Sequence, residues 1–214
     1  MPPDCTYELA FVATGKQHIA GIDEVGRGCW AGPVVAAAVV LSDAVWHMPD
    51  ILAGLNDSKQ LSATQRHTLA HTVRQVARGI GIGWVSAHDI DCFGILNATK
   101  LAMQQAIMSL PLIPDALLID AVTLPSWHTP QQAIIKGDAT SLSIAAASVI
   151  AKVARDHAVA QYDRCYPGYG FAQHKGYGTA QHQVALATWG PTPQHRHSFA
   201  PIYHLTNGCN NSSR

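Results

Sequence analysis

Glutamate is nearly missing from this 214-residue chain: only Glu8 and Glu24 occur, and no carboxylate side chain follows Asp163. No apolar run approaches the ~20 residues that a membrane helix needs. The opening MPPDCTYELAF has neither a basic segment nor a long apolar one, which argues against a secretory signal and for a cytoplasmic protein without a membrane partner. Five cysteines (Cys5, Cys29, Cys92, Cys165, Cys209) are scattered with no C-x-x-C pair, against both a disulfide framework and a zinc ribbon. No G-K-[ST], H-E-x-x-H or G-x-S-x-G is present, and glycines at 26, 28 and 32 miss the G-x-G-x-x-G spacing.

What remains is a chain with 48% hydrophobic and 13% charged residues, enough to bury a sizeable core in one domain. Its formal charge is zero, which taken alone argues against a nucleic-acid partner. The distribution points the other way. Residues 1–135 carry seven Lys and Arg against eleven Asp and Glu, whereas 136–214 carry seven against three. An acidic half next to a basic one suits a carboxylate-bound cation alongside a phosphate-tracking surface.

No repeat or linker divides the chain. HIAGIDE and PVVAAAVVL read as strands, the second apolar throughout as a buried strand is. GIGIGWVSA is a third, with Gly79, Gly81 and Gly83 on one face inviting close backbone approach. Ser62 caps a helix reaching about Arg78, and another runs from about Ile95 to Leu110. ALLID and QAIIKGD are short strands, and residues 141–166 form one long helix ended by Pro167 and Gly168. A glycine- and aromatic-rich loop (168–178) precedes a short helix to about Trp189. The class is α/β on a mixed sheet.

Strand ends then carry acids: Asp23 with Glu24, Asp120, and Asp138. Ligands of open α/β sheets gather where strands end. If these strands are neighbours, four carboxylates converge, and their repulsion raises pKa values or demands a hard divalent cation such as Mg²⁺ or Mn²⁺. Singly, Asp120 or Asp138 reads equally as a turn or cap residue. The Asp23-Glu24 pair is harder to set aside. It runs into Gly26-Arg27-Gly28, whose backbone amides can hydrogen-bond a sugar or phosphate.

The blocks GIDEVGRG, NDSKQLS, LLID, KGDATSLSIAAASVIAKVARD, YPGYGFAQHKGYGT and GPTPQHRHSF, in this order, resemble bacterial ribonuclease HII, the type 2 ribonuclease H. The resemblance spans about residues 19–202, leaving an N-terminal extension (1–18) and a polar, disordered tail (203–214) with no clear partner motif. It implies a ribonuclease H-like fold, with a mixed five-stranded sheet flanked by helices and a small C-terminal helical segment. It implies an endonuclease, acting as a monomer, that cuts RNA paired to DNA and incises 5′ of a single ribonucleotide in duplex DNA. Asp23, Glu24, Asp120 and Asp138 match the family's catalytic metal ligands, holding two Mn²⁺ or Mg²⁺ ions that drive an in-line displacement. Gly26, Arg27 and Gly28 match the turn that reads the ribose 2′-OH, and Tyr177 the residue that packs on the adjacent sugar. Ser58, Lys59, Lys175 and Arg196 are expected on the substrate backbone. Three family positions differ: Cys29-Trp30 stand where Pro-Leu is frequent, Ala121 replaces a glycine, and His197 replaces an arginine.

Two other readings fit the residues. One is a hybrid-binding module that does not cut; the other is a metal-dependent hydrolase of small phosphates. Asp156 reads as half of a helix-surface pair with Arg155, and His174, His195 and His197 as surface histidines rather than a zinc cluster.

Overall fold

Strand β1 (Ile19–Val25) and strand β2 (Val34–Leu41) are buried along almost their whole length, as two apolar runs without alternation require. The computed structural model describes residues 2–208. With β3 (Ala77–Val85), β4 (Ala116–Asp120) and β5 (Gln131–Ile134) they form a five-stranded sheet in the order β3-β2-β1-β4-β5. β1 runs antiparallel to β2 and parallel to β4, and β4 runs parallel to β5. The sheet is therefore mixed, as expected.

The helices are α1 (Thr6–Val12), α2 (Asp43–His47), α3 (Ala63–Val76), α4 (Ala87–Phe93), α5 (Ile95–Met108) and α6 (Leu142–Ala160). After them come α7 (Tyr162–Cys165), α8 (Phe171–His174), α9 (Ala180–Trp189) and α10 (Ala200–Gly208). Ser62 caps α3 as expected, in a box where its hydroxyl accepts from Gln65 N and Gln65 accepts from Ser62 N. That helix stops at Val76 because the chain turns directly into β3. The helix expected over 141–166 breaks in two, with i→i−3 bonds at Gln161 N to Ala158 O and Arg164 N to Gln161 O closing the joint.

By packing, the chain divides into two units. The first comprises residues up to 25, 35–84 and 100–153; the second comprises 26–34, 85–99 and 154 onward. In the first, Gly21 puts β1 hard against the start of α6, since a Cβ there would stand 2.1 Å from the Ser143 carbonyl carbon. The small residues Ala145, Ala146, Ala147 and Ala151 keep that helix close to the sheet. The glycine face of β3 does the same for α5: a Cβ at Gly81 or Gly83 would meet the Ala106 or Ala102 carbonyl oxygen at 2.0 Å.

The N-terminal extension is part of this unit rather than an appendage. Tyr7 and Phe11 pack on Ile19, Leu118 and Ile144. Glu8 is fully buried and accepts from the hydroxyls of Ser141 (2.7 Å) and Ser143 (2.6 Å) and from Ser143 N (2.9 Å). In the second unit Ala31, Val159, Tyr169, Phe171 and Ala185 make an aromatic-rich core. Residues 203–208, expected to begin a disordered tail, are the end of α10; the rest of that tail lies outside the described residues. Among the described residues no helix is long and apolar enough to cross a membrane.

Candidate active site

Parallel pairing aligns the acids. Ile22 of β1 is in register with Ile119 of β4, so the next residue on each strand, Asp23 and Asp120, emerges at the same end of the sheet. Carboxylate oxygens of Asp23, Glu24 and Asp120 lie within 4.8 Å of one another. Asp23 is buried, and its carboxyl is held well above the usual range by desolvation first, then by the charges of Glu24, Asp120 and Asp138. Glu24 N donates to Asp23 Oδ1 at 2.7 Å.

Asp138, expected as the fourth member, stands outside this group of three, although its charge acts on Asp23. β5 ends at Ile134, and Asp138 lies beyond it on a single 3₁₀ turn, Gly137–Ala139. Lys136, with φ +57°, turns the chain into it, and Gly137 N donates to Asp120 Oδ1 at 2.7 Å, tying the two acid-bearing segments together. Desolvation, then Asp57 and Asp120, push the Asp138 carboxyl up to about 6, while Lys59 pulls it down. Ala121, immediately after Asp120, takes φ +54°, a left-handed conformation that glycine would adopt without strain.

Of the two residues of the N-D-S-K block expected on the substrate backbone, Ser58 is buried and Lys59 is exposed. Ser58 is 3% exposed, and its Oγ is hydrogen-bonded to the Ser148 hydroxyl at 2.9 Å. Ser148 also bonds Asp23 and lowers its pKa, so Ser58 supports the acid cluster from behind. Lys59 is exposed, with its backbone N donating to Asp57 Oδ1 at 2.9 Å. Neither Ser148 nor Asp57 was picked from sequence. The only signal for Asp57 was its place in the N-D-S-K block; Ser148 gave none among the small residues of α6.

The second unit holds the Gly26-Arg27-Gly28 turn. Gly26 is buried at φ +92°, Arg27 and Gly28 are exposed, and no atom would lie within 4 Å of a Cβ on Gly28. Two buried arginines frame the turn. Arg155 donates through Nε to Pro33 O (2.9 Å), Nη1 to Lys175 O (2.9 Å) and Nη2 to Ala31 O (3.0 Å). Arg196 donates to Gly32 O from Nε (3.0 Å) and Nη2 (2.9 Å), and to Arg27 O from Nη1 (2.8 Å).

Arg196 was expected to contact phosphate; it is fully buried instead, and burial lowers its pKa to about 10. Its guanidinium is committed to main-chain carbonyls, so it shapes the turn that carries Arg27. The sequence missed Arg155 altogether, reading it as a surface partner of Asp156. Tyr177 is half-buried 6.0 Å from the Arg155 guanidinium, and burial plus the Cys29 thiol push its phenol up to about 12. Lys175 is half-buried at φ +53°, closing α8.

Against known proteins, the family model for ribonuclease HII matches residues 20–202. The chain belongs to the ribonuclease HII family. A ribonuclease HII of Chloroflexus aurantiacus is 57% identical over 202 residues, covering 94% of this chain and 95% of that one. The crystal structure of the ribonuclease H2 from Pyrococcus horikoshii OT3 superposes with TM-score 0.75 at 24% identity, covering 90% and 99% of the two chains. The RNase HII of Archaeoglobus fulgidus, solved in complex with PCNA, gives TM-score 0.70 at 26% identity over 85% and 95%. The expected ribonuclease H-like fold is thus observed, and the chain is an endonuclease-family hydrolase. The family depends on divalent metal, and converging oxygen donors with a desolvated, self-repelling Asp23 fit such ions.

Proposed function

We propose that this chain hydrolyses the RNA strand of RNA–DNA hybrids and incises on the 5′ side of single ribonucleotides in duplex DNA, leaving 3′-OH and 5′-phosphate ends. The observation that carries this reading is the meeting of Asp23, Glu24 and Asp120 oxygens within 4.8 Å. Asp138 is electrostatically coupled to Asp23 and Asp120. These four hold two divalent ions, Mg²⁺ or Mn²⁺. When bound, such ions supply Lewis acidity that activates a water and stabilises the departing 3′ oxygen.

The protein's own part is positional. Gly137 N fixes the Asp120 carboxylate, and Glu24 N with Ser148 fixes Asp23, so the ligands need no reorganisation. Gly26, two residues after Glu24, begins the turn whose amides read the ribose 2′-OH, a group that can donate and accept and that DNA lacks. Tyr177 packs on the neighbouring sugar, and exposed Arg27 and Lys59, with Lys175, meet phosphates. The acting species is a monomer.

The test is cleavage of a duplex containing one ribonucleotide, with product ends mapped. The reading requires a single 5′ incision in Mg²⁺ or Mn²⁺ and none in the all-deoxy duplex. Binding without cutting would make the chain a hybrid-binding module, and turnover of a chromogenic phosphomonoester would make it a small-phosphate hydrolase.

A further inference from the structure

Three histidines of the second unit, His174, His182 and His195, are buried to within 6% of full occlusion, although the sequence placed His174 and His195 at the surface. They form one connected array. Thr192 N donates to His195 Nδ1 at 2.8 Å, so that nitrogen carries no proton. The longer 3.3 Å approach of Thr192 O to the same atom would need the opposite tautomer, and the shorter N–H donation decides between them. His195 Nε2–H must then donate to His182 Nε2, 2.9 Å away. His182 in turn carries its proton on Nδ1 and donates it to Tyr177 O at 2.9 Å. His174 is fixed likewise: Nδ1 accepts from Gly176 N (3.0 Å) and Nε2–H donates to Tyr169 O (2.8 Å).

This array converges on one residue. The Tyr177 carbonyl accepts from His182 and from Thr179 N (2.8 Å), while Tyr177 N donates to His174 O (2.9 Å). Both peptide groups flanking the Tyr177 side chain are therefore held. Each ring must be neutral to play its part, because a second proton on His182 Nε2 would face the His195 N–H. The His174 and His182 rings are stacked with centroids 4.1 Å apart and planes 9° apart, an arrangement two imidazolium ions would not keep. Trp30 covers the His182 ring at 5.7 Å. Charged and titratable groups around the array are Asp163 and Lys175 near His174, and His197 near His195.

We infer that His182, oriented by His195 and Thr192, is a positioning residue that fixes Tyr177 in the conformation used to engage substrate. The inference deepens the proposed function and rests on Tyr177 touching the sugar. It also explains the residue type. Only a neutral imidazole presents an acceptor and a donor on opposite edges of one rigid ring, passing hydrogen-bond direction from Thr192 to Tyr177.

Asparagine places its amide nitrogen where His182 has Nδ1, whereas phenylalanine keeps the ring and loses the donor. In the full chain, His182→Phe should raise KM for a single-ribonucleotide duplex about tenfold. Its kcat should stay within about twofold, and His182→Asn should restore KM to within about threefold. An unchanged KM in a folded His182→Phe variant would overturn the inference, as would failure of His182→Asn to rescue. If His182→Phe does not fold, long-range ¹H–¹⁵N spectra of the wild-type chain decide. The inference requires Nδ1–H on His182 with Nε2–H on His174 and His195, and an Nε2–H or charged His182 at neutral pH contradicts it. Tyr177→Ala separates the two readings. If its KM is unchanged while Tyr177 resonances still shift in His182→Phe, the positioning stands and the substrate role of Tyr177 falls.

Discussion

A Cβ on Gly26 would stand 2.2 Å from Arg155 Nε, and the arginine has nowhere to go. Its guanidinium is bonded to the carbonyls of Pro33, Lys175 and Ala31. Gly26 also holds φ +92°, closed to most L side chains. Gly26→Ala therefore combines overpacking with backbone strain, each costing about 1–3 kcal/mol. We expect Tm to fall by several degrees. Affinity for a ribonucleotide-containing duplex should drop more than about tenfold, read by fluorescence anisotropy, because the turn carrying Arg27 is displaced.

Removing charge from the acid cluster should separate stability from activity. Asp23→Asn deletes a buried, desolvated charge next to Glu24 while an amide oxygen can still accept from Glu24 N. Cleavage should fall at least ~100-fold, since losing a metal ligand outweighs losing its supporting partners. Without metal, thermal melts should place the variant a few degrees above wild type.

Ala121 occupies a left-handed conformation at φ +54°, where a Cβ costs on the order of 1 kcal/mol net of glycine's extra unfolded-state freedom. Ala121→Gly should raise Tm by about 2–4 °C. The Asp120 carboxylate stays anchored by Gly137 N, so kcat should be unchanged.

Acid sensitivity follows from the histidine array. Burial lowers His182 and His195 to about 4 from the ordinary 6.5. As pH falls from 6.5 to 4 the unfolded chain binds protons that the folded chain refuses, so stability drops across that window and levels off below it. At about 1.4 kcal/mol per pKa unit the loss is a few kcal/mol for each ring. Asp138, raised to about 6, works in the opposite sense, stabilising the metal-free fold as pH falls from about 6 toward 3.8. Urea midpoints between pH 7 and 4 should decline in wild type and decline less steeply in His182→Asn, which lacks one of the two rings.

The convergence of Asp23, Glu24 and Asp120 could be anticipated because each follows an apolar run, and strand ends in this class of sheet gather ligands. Asp138 shows the limit of that logic: it stands on a 3₁₀ turn four residues past Ile134, outside the group of three acids, and its segment is tied to theirs by the Gly137 to Asp120 bond, which no periodicity encodes. The glycine face of β3 was readable for a similar reason, since glycines alternating with bulky residues mean close approach. Buried polar residues were not. Arg155, Arg196, His182 and Glu8 look like surface residues in a one-dimensional string. Their partners are main-chain groups, serines or another histidine, as many as 169 positions away, fixed only when the fold closes.

The claim on which the rest depends is that Asp23, Glu24, Asp120 and Asp138 form one divalent-ion site. Titration of Mn²⁺ into the wild-type chain and into its Asp23→Asn, Glu24→Gln, Asp120→Asn and Asp138→Asn variants, followed by electron paramagnetic resonance, measures this directly. We predict saturable binding that each substitution weakens by at least about tenfold. Equal Mn²⁺ affinity in the wild type and all four variants would contradict it.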